Sequence, residues 1–296
     1  MKLSELYEIT SGLRNFDPAK YVEAKIDLIN SFFTQEELDS VVVGISGGID
    51  SALVVNLLSA ASQVKGSPIR MVVGLVLPII GPGTTGQSNA KRKALEVLKN
   101  IPVACQVMHL SDAYHSLVAQ GGGSAWAQGQ MASVLRTPAL YYQAALLQDC
   151  GYMSIVSGTT NRDEGAYLGF YGKGSDGMVD LQPIADIHKS EVFKTSKLFN
   201  IPNEVIEAVP SGDVWDGRND EQMIGAPYQF IEAYLIMLEK NRLDLLDELE
   251  IGDKEKAKLW ISNIEKIHKT NLHKYKVGLP ARFIDVMPRC VPGGWQ

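Results

Sequence analysis

Cysteine, positive charge and long apolar runs are all scarce in this sequence. Three cysteines occur among 296 residues, at Cys105, Cys150 and Cys290, and their wide spacing fits neither a zinc cluster nor a disulfide framework, so buried thiols are expected. A net charge of −6 argues against a nucleic-acid partner. Neither a membrane-length run nor a secretory signal is found. We therefore expect a cytoplasmic protein with no membrane partner.

The sequence also lacks the Gly-Lys-Ser/Thr ending of a Walker loop, but residues 41–51 carry another phosphate-binding pattern. The β-branched run 41–43 predicts a strand buried on both faces, and the apolar residues 52–61 predict a buried helix. The adjacent glycines Gly47 and Gly48 and two serines lie between them, where backbone N–H groups converge on an anion. Because a carboxylate repels phosphate unless a cation separates them, Asp50 also implies Mg²⁺.

Strands and helices alternate along the chain, which predicts an α/β protein with a doubly wound parallel sheet. Further strands are predicted at 69–77, 103–110 and 152–157, and helices at 19–33, 91–99 and 140–147. Asp17 and Pro18 predict the start of the first helix, which covers the sheet or meets a second subunit. Pro138 begins or kinks the last helix. The irregular segment 159–178 is expected to be functional and mobile without substrates.

We expect one domain over residues 1–296, with an N-terminal helical segment at about 1–38 and a C-terminal helical segment at about 225–296. Ligands of a parallel sheet lie beyond the carboxyl ends of its strands. Polar clusters follow three predicted strands, at 46–51, 84–89 and 159–164. The sequence therefore places its chemistry at one edge of the sheet.

The loop Ser46-Gly47-Gly48-Ile49-Asp50-Ser51 resembles the pyrophosphate loop of the ATP pyrophosphatase superfamily, whose members cleave ATP between the α and β phosphates. The second half resembles NAD synthetases in the motifs at 158–164, 169–173, 183–184 and 210–213. The resemblance runs from about Val41 to the C-terminus. It implies an adenine nucleotide α-hydrolase-like, Rossmann-like three-layer α/β/α fold, and a homodimer.

The resemblance also implies roles for individual residues. Asp50, Glu164 and Lys189 match catalytic positions, and the two acids match Mg²⁺ ligands. The positions that match ATP-binding residues are Gly44, Ile45, Ser46, Gly47, Gly48, Ile49, Asp50, Ser51, Thr159, Lys189 and Ser211. The positions that match residues holding deamido-NAD are Arg136, Lys173, Asp180, His273 and Lys274.

Taken singly, several of these residues have simpler interpretations. Glu164 alone would be a solvated loop acid, and Lys189 a surface lysine of a helix. Arg136 could pair with a nearby acid, and His273 with Lys274 could form a basic helical patch. Tyr228 is predicted to be a packing residue.

The chain departs from the family pattern at three places. Val76 stands where many members have arginine before Leu-Pro, Ala132 stands where asparagine is common, and residues 175–178 replace Gly-Asp-Gly-Gly. These positions concern contacts with adenine and the dinucleotide. The phosphate and metal set is unaffected.

The implied reaction is the ATP-dependent amidation of nicotinic acid adenine dinucleotide (deamido-NAD) with ammonia, through an acyl-adenylate, to give NAD, AMP and pyrophosphate. Glutamine is not expected as the nitrogen source, because Cys105 lies in an apolar strand, Cys150 at a helix end and Cys290 near the C-terminus, and only about forty residues precede the first strand. The alternatives are a tRNA-acting thiolase or lysine-adding ligase, and a non-enzymatic ATP-binding module. The first would need a basic surface or paired cysteines, and the second has no use for both Asp50 and Glu164.

Overall fold

Four parallel strands form the centre of the protein, whose computed structural model describes residues 1–80, 85–208 and 218–274. They are β1 (Ser40–Gly44), β2 (Met71–Val76), β3 (Ala104–Val107) and β4 (Ser154–Ser157), in the order β3-β2-β1-β4. Val42 of β1 is paired with Val73 on one side and Val156 on the other. The predicted parallel sheet is confirmed, and its order reverses between β1 and β4, where a ligand crevice is expected.

Helices surround this sheet and extend beyond it. In chain order they are α1 (Leu3–Arg14), α2 (Pro18–Gln35), α3 (Ile49–Ser62), α4 (Thr85–Lys99), α5 (Ser111–Gly121), α6 (Ala125–Asp149), α7 (Lys189–Ser196), α8 (Asn203–Ile206), α9 (Asp220–Ile224), α10 (Tyr228–Lys240) and α11 (Ile251–Asn271). A π-helix spans Asp163–Leu168, and short 3₁₀ turns span Leu243–Leu246 and Leu272–Lys274.

Helices cover both faces of the sheet, which gives the predicted three layers. On one face, α3 and α4 pack on the strands, and α2 and α7 pack on α3 within the same apolar cluster. On the other face, α6 packs on Val42 and Val156. The start of α2 is as predicted, because the Asp17 carboxylate accepts N–H bonds from Ala19 and Lys20 at 3.0 and 3.1 Å. Its residues Ile29 and Phe33 are buried in the apolar cluster, and the helix packs mainly on α3 and α7 rather than directly on the strands.

A second apolar core lies among the helices beyond the sheet. It is formed by α1, α9, α10, α11 and the π-helix, and its members include Leu6, Leu168, Phe230 and Ile264, all fully buried. We call this the helical core, and the cluster around α2, α3, α7 and β1 the sheet core. The N-terminus joins the helical core, since the Glu250 N–H donates to the Met1 carbonyl at 2.9 Å.

Three features differ from the sequence-based expectation. Helix α6 runs from Ala125 through Pro138 to Asp149, so Pro138 does not begin the helix, and the Val134 carbonyl has no helical N–H donor at that proline. Strand β3, at one edge of the sheet, is shorter than predicted. Cys105 on β3 and Cys150 at the end of α6 are exposed, so the expectation of buried thiols is wrong for both.

Every helix in the described ranges falls short of the length and apolar character that a membrane span requires.

Candidate active site

The loop between β1 and α3 is a close-packed turn whose shape depends on glycine. Gly47 has φ of 84°, and a Cβ at this position would collide with the carbonyl oxygen of Ala90 in α4. The Ser51 hydroxyl donates to the Gly48 carbonyl at 3.0 Å and accepts the Ser46 N–H at 3.3 Å. The loop is therefore braced by its own hydroxyls, at the N-terminus of a buried helix, where an anion is favoured.

Two carboxylates meet beside this loop, although they are 114 residues apart in the sequence. Asp50 lies in the first turn of α3 and Glu164 in the π-helix. The side-chain amide of Asn161 donates to both, at 2.9 Å to Asp50 Oδ1 and 2.8 Å to Glu164 Oε1. Its oxygen accepts the N–H groups of Asp163 and Glu164 at 3.0 and 3.2 Å. Asn161 thus starts the π-helix and fixes the carboxylate pair.

Lys189, the first residue of α7, completes the cluster. Its Nζ is 2.6 Å from Asp50 Oδ2 and 3.5 Å from Glu164 Oε1, and the residue is only 4% exposed. Burial alone would lower the pKa of Lys189, but the charges of Asp50 and Glu164 outweigh it and raise that pKa above its usual value. The interpretation of Lys189 as a surface lysine is wrong.

Glu164 is held in an environment that opposes its ionisation. Burial raises its pKa to about 7; Lys189 lowers that pKa, and the negative charge of Asp50 raises it. Its side chain is 17% exposed, so the interpretation as a solvated loop acid is wrong. A cation bound beside Asp50 and Glu164 would favour the ionised form of Glu164.

Tyr228 is the site residue that the sequence analysis placed among packing residues. Its hydroxyl donates to Glu164 Oε1 at 3.0 Å and lies 3.3 Å from Asp220 Oδ2. Its ring centroid is 5.3 Å from Lys189 Nζ, within the range of a cation–π contact. Burial, followed by the charge of Glu164, raises the pKa of Tyr228, so the phenol remains a donor. No local sequence signal identifies it, because its partner lies 64 residues away.

The carboxylates of Asp50 and Glu164 are suitable ligands for Mg²⁺, although two carboxylates do not complete its coordination. Asp50 and Glu164 offer carboxylate oxygens to one point, and Mg²⁺ commonly takes one or two carboxylates together with phosphate oxygens and waters. In the part of the chain that the structure describes, no group of three or more His, Cys, Asp or Glu side chains is placed to hold a metal. A cation here would therefore depend on the phosphates of a nucleotide for its remaining ligands.

The residues matched to deamido-NAD lie outside this cluster, in two places. Along the sheet, Arg136 donates to the Leu77 carbonyl at 3.2 Å and to Gln87 Oε1 at 3.1 Å. Asp180 lies beside β4, where it accepts the Val156 N–H at 2.8 Å and the hydroxyl of Tyr141 at 3.2 Å. Arg136 thus marks the end of β2, and Asp180 extends the edge of β4.

The other matched residues lie near the helical core or outside the described residues. Lys274 Nζ donates to the carbonyls of Gly169 and Tyr171 at 2.8 and 2.5 Å, and burial lowers the pKa of Lys274. His273 is exposed, with Nδ1 3.2 Å from the Thr270 carbonyl. Lys173, also matched to deamido-NAD, is exposed. Of the residues matched to ATP, Thr159 is half-buried just after β4, and Ser211 lies outside the described residues.

Comparison with known proteins gives a consistent result. Residues 21–278 match the family model described as NAD synthase. The NH(3)-dependent NAD(+) synthetase of Methanococcoides burtonii is 32% identical over 214 residues, which cover 71% of this chain and 76% of that protein.

Two solved structures are similar in fold. The NMN synthetase from Francisella tularensis has a TM-score of 0.71 and 26% identity, covering 91% of this chain and 100% of its own. The NH3-dependent NAD synthetase from Campylobacter jejuni has a TM-score of 0.65 and 23% identity, covering 93% of this chain and 99% of its own.

Proposed function

The chain belongs to the NAD synthase family, and we propose that Asp50, Glu164 and Lys189 carry out its reaction. That reaction is the ATP-dependent amidation of deamido-NAD with ammonia, so the protein is a ligase that forms a C–N bond. The observation that carries the proposal is the meeting of these three side chains beside the 46–51 loop, with Lys189 Nζ at 2.6 Å from Asp50. The site lies where the strand order reverses, which is the expected nucleotide crevice.

The chemistry requires that a carboxylate be made reactive toward ammonia. A carboxylate oxygen of deamido-NAD attacks the α-phosphorus of ATP, the α–β bond breaks, and pyrophosphate leaves with the electron pair. Ammonia then attacks the acyl carbon, loses a proton, and AMP leaves. Neither step needs a nucleophile from the protein, so catalysis rests on positioning and on stabilising negative charge.

Each residue of the cluster has a role that follows from its position. The 46–51 loop and the N-terminus of α3 would hold the phosphates through N–H and hydroxyl groups. Lys189 would turn from Asp50 toward the β and γ phosphates and offset their charge as the bond breaks. We assign Ser211 and Thr159 to ATP contact as well. Asp50 and Glu164 would hold Mg²⁺, whose chemistry is to neutralise phosphate charge.

The nicotinate end of the substrate would meet a different group of side chains. We propose that Arg136, Lys173, Asp180, His273 and Lys274 hold deamido-NAD, and Asp180 and Lys274 are already fixed by hydrogen bonds in this structure. A pre-positioned acid and cation reduce the entropy lost on binding.

Free ammonia is the proposed nitrogen source. A glutamine-using site needs an activated cysteine, whereas burial raises the pKa of Cys105, which makes its thiolate scarcer. The purified protein should form NAD with ammonium chloride and little with glutamine. At fixed total ammonium the rate should rise with pH, because NH₃ is the reactive species. Comparable turnover with glutamine in a glutaminase-free preparation would contradict this proposal.

A second candidate substrate is nicotinic acid mononucleotide. The similarity to the solved NMN synthetase, at a TM-score of 0.71, exceeds that to the Campylobacter NAD synthetase, at 0.65. The same carboxylate-activating cluster would serve either acid. Measuring pyrophosphate release with deamido-NAD, with the mononucleotide and with tRNA separates these candidates. Release that depends on deamido-NAD supports the main proposal, and release only with tRNA would overturn it.

Assembly and location are also proposed. We propose one domain over 1–296, supported by the contact of Met1 with Glu250 across the helical core. We propose a homodimer through α5 and α6, because Tyr142 and Leu146, one turn apart on α6, are 58% and 37% exposed and α5 buries no residue. Sedimentation of the wild type and of Tyr142→Glu tests the dimer. A cytoplasmic location stays a prediction, which cell fractionation would check.

A further inference from the structure

Two fully buried side chains, Asp163 and His188, immediately precede the functional residues Glu164 and Lys189. Both have 0% side-chain exposure. Asp163 Oδ1 accepts a hydrogen bond from His188 Nδ1 at 2.6 Å, and its second oxygen accepts the backbone N–H of Lys189, also at 2.6 Å. One carboxylate therefore connects the π-helix to the first residue of α7.

This connection joins segments that are distant in sequence. The Arg162 N–H donates to the Ile187 carbonyl at 2.9 Å, so the two backbones run side by side at this point. His188 is the N-cap residue of α7, and its own N–H donates to Glu191 Oε2 at 2.9 Å. The ring and the backbone of His188 are thus both fixed, and they fix where Lys189 begins its side chain.

Packing alone does not account for this pair. The Nε2 atom of His188 is buried without a hydrogen-bond partner among the described residues, which a leucine at this position would avoid. A further acid is buried nearby: burial, followed by the negative charge of Asp163, raises the pKa of Glu232 in α10. Apolar side chains of similar volume would be easier to bury than the Asp163–His188 pair.

We propose that Asp163 and His188 are positioning residues that set the separation between Glu164 and Lys189. The proposal rests on the roles assigned above to those two side chains. Neither Asp163 nor His188 reaches the cluster itself; each acts through the neighbouring backbone. If the link is lost, α7 can shift against the π-helix, and a displacement of about 1 Å in a site of this kind typically costs about a hundredfold in rate.

The nature of the link makes a specific prediction about substitutions at His188. The amide nitrogen of asparagine occupies nearly the place of Nδ1, whereas that of glutamine reaches the place of Nε2. His188→Asn should therefore keep the bond to Asp163 and retain kcat within about threefold. His188→Gln and His188→Leu should lower kcat/KM for ATP by about thirtyfold or more, with KM for deamido-NAD within about threefold.

A matched control separates positioning from lost stability. Val192 is fully buried in α7 and its side chain packs in the sheet core, so Val192→Ala destabilises the same helix while keeping both side chains of the pair and the backbone bond from the Val192 N–H to the His188 carbonyl. All variants are compared by thermal unfolding, by calorimetric binding of ATP with Mg²⁺, and by pyrophosphate release. We expect Val192→Ala to lower the melting temperature and to leave kcat near that of the wild type.

The outcomes are distinguishable from a failure of the proposed function. An active wild type and an inactive Glu164→Gln establish the function irrespective of the pair. Rescue by asparagine but not by glutamine then supports the positioning role. The positioning role would be overturned if His188→Asn and His188→Gln lost activity equally, or if all variants kept full activity. It would also be overturned if the loss of activity in each variant followed its loss in melting temperature, as measured against Val192→Ala. If His188→Leu does not fold, the comparison of asparagine with glutamine decides.

Discussion

The sheet core and the helical core hold their parts of the site by different means. In the sheet core, strand β1 and helix α3 pack through apolar side chains and contribute the 46–51 loop and Asp50, while α7 buries the charged residues Lys189 and Glu191. The helical core contributes Glu164 and Tyr228, and polar bonds tie its π-helix in place. For example, the hydroxyls of Tyr167 and Tyr234 both donate to Glu265, at 2.7 and 2.8 Å.

The site depends on how the sheet core and the helical core pack against each other. Asp50 and Lys189 belong to elements of the sheet core, and Glu164 and Tyr228 to elements of the helical core. Asn161 bonds across the boundary to both acids. The carboxylate pair therefore exists only when the two regions are packed together, and substitutions on either side should test that dependence.

The largest effect is expected from the acids themselves. Asp50→Asn and Glu164→Gln should each lower turnover about a hundredfold, equivalent to about 3 kcal/mol, because each removes charge needed in the transition state. The double variant should lose much less than the product of the two, since the acids act as one unit across the boundary. The rate of pyrophosphate release measures the turnover of each variant, and repeating it over a range of Mg²⁺ concentrations measures its dependence on the metal.

Asp186→Asn is the control for that comparison, because it makes the same change in an acid paired with Lys25 at 2.9 Å outside the site. Its turnover should stay within about twofold of the wild type. Independent, fully multiplicative losses, or an unchanged Mg²⁺ dependence in both single variants, would contradict a shared site.

A smaller effect is expected from the loop on the sheet side. Gly47 and Gly66 have nearly the same φ, 84° and 85°, so alanine strains both by about 1 kcal/mol. Only at Gly47 does the new Cβ collide with the Ala90 carbonyl, whereas nothing lies within 4 Å at Gly66. Gly47→Ala should raise KM for ATP about tenfold or more, and Gly66→Ala should leave it unchanged. Similar KM values in the two variants would show that the loop shape is not critical.

On the helical side, Glu265→Gln should affect stability more than rate. It weakens two hydrogen bonds to a charged acceptor, and we expect a loss of about 1 to 2 kcal/mol in unfolding free energy with turnover within about threefold. Glu255→Gln, at an exposed position of the same helix, is the matched control and should change neither. A hundredfold loss of turnover in Glu265→Gln would mean that the helical core acts directly on the chemistry.

The last prediction concerns the pH dependence of stability and not the rate. The pKa of Glu164 is about 7 in the folded protein against an ordinary value of 4.5, with burial as the main cause. Between these values the folded state binds more protons than the unfolded state, so stability of the metal-free protein should fall as pH rises from about 4.5 to 7. Glu164→Gln should lack this part of the slope in chemical denaturation with a chelator. An identical slope in both proteins would refute the assignment.

Much of the sheet side could be predicted because its signals are local. The apolar run before the 46–51 loop, the adjacent glycines, and Asp17 with Pro18 each act through neighbours within a few residues. The family motif similarly identified Glu164 and Lys189. The first half of α6 was not predicted, because Gly129 and Pro138 lower the local helix propensity there.

The sequence by itself determined the parallel sheet, the 46–51 turn and the identity of the charged residues, because strand burial and turn geometry depend on short-range pattern. Only the tertiary structure decided which groups meet. Asn161 bridges two acids, Tyr228 donates to Glu164, and Asp163 bonds His188 across 25 residues. Such contacts depend on how the two cores dock, and their energies come from burial and long-range hydrogen bonds that no local pattern encodes.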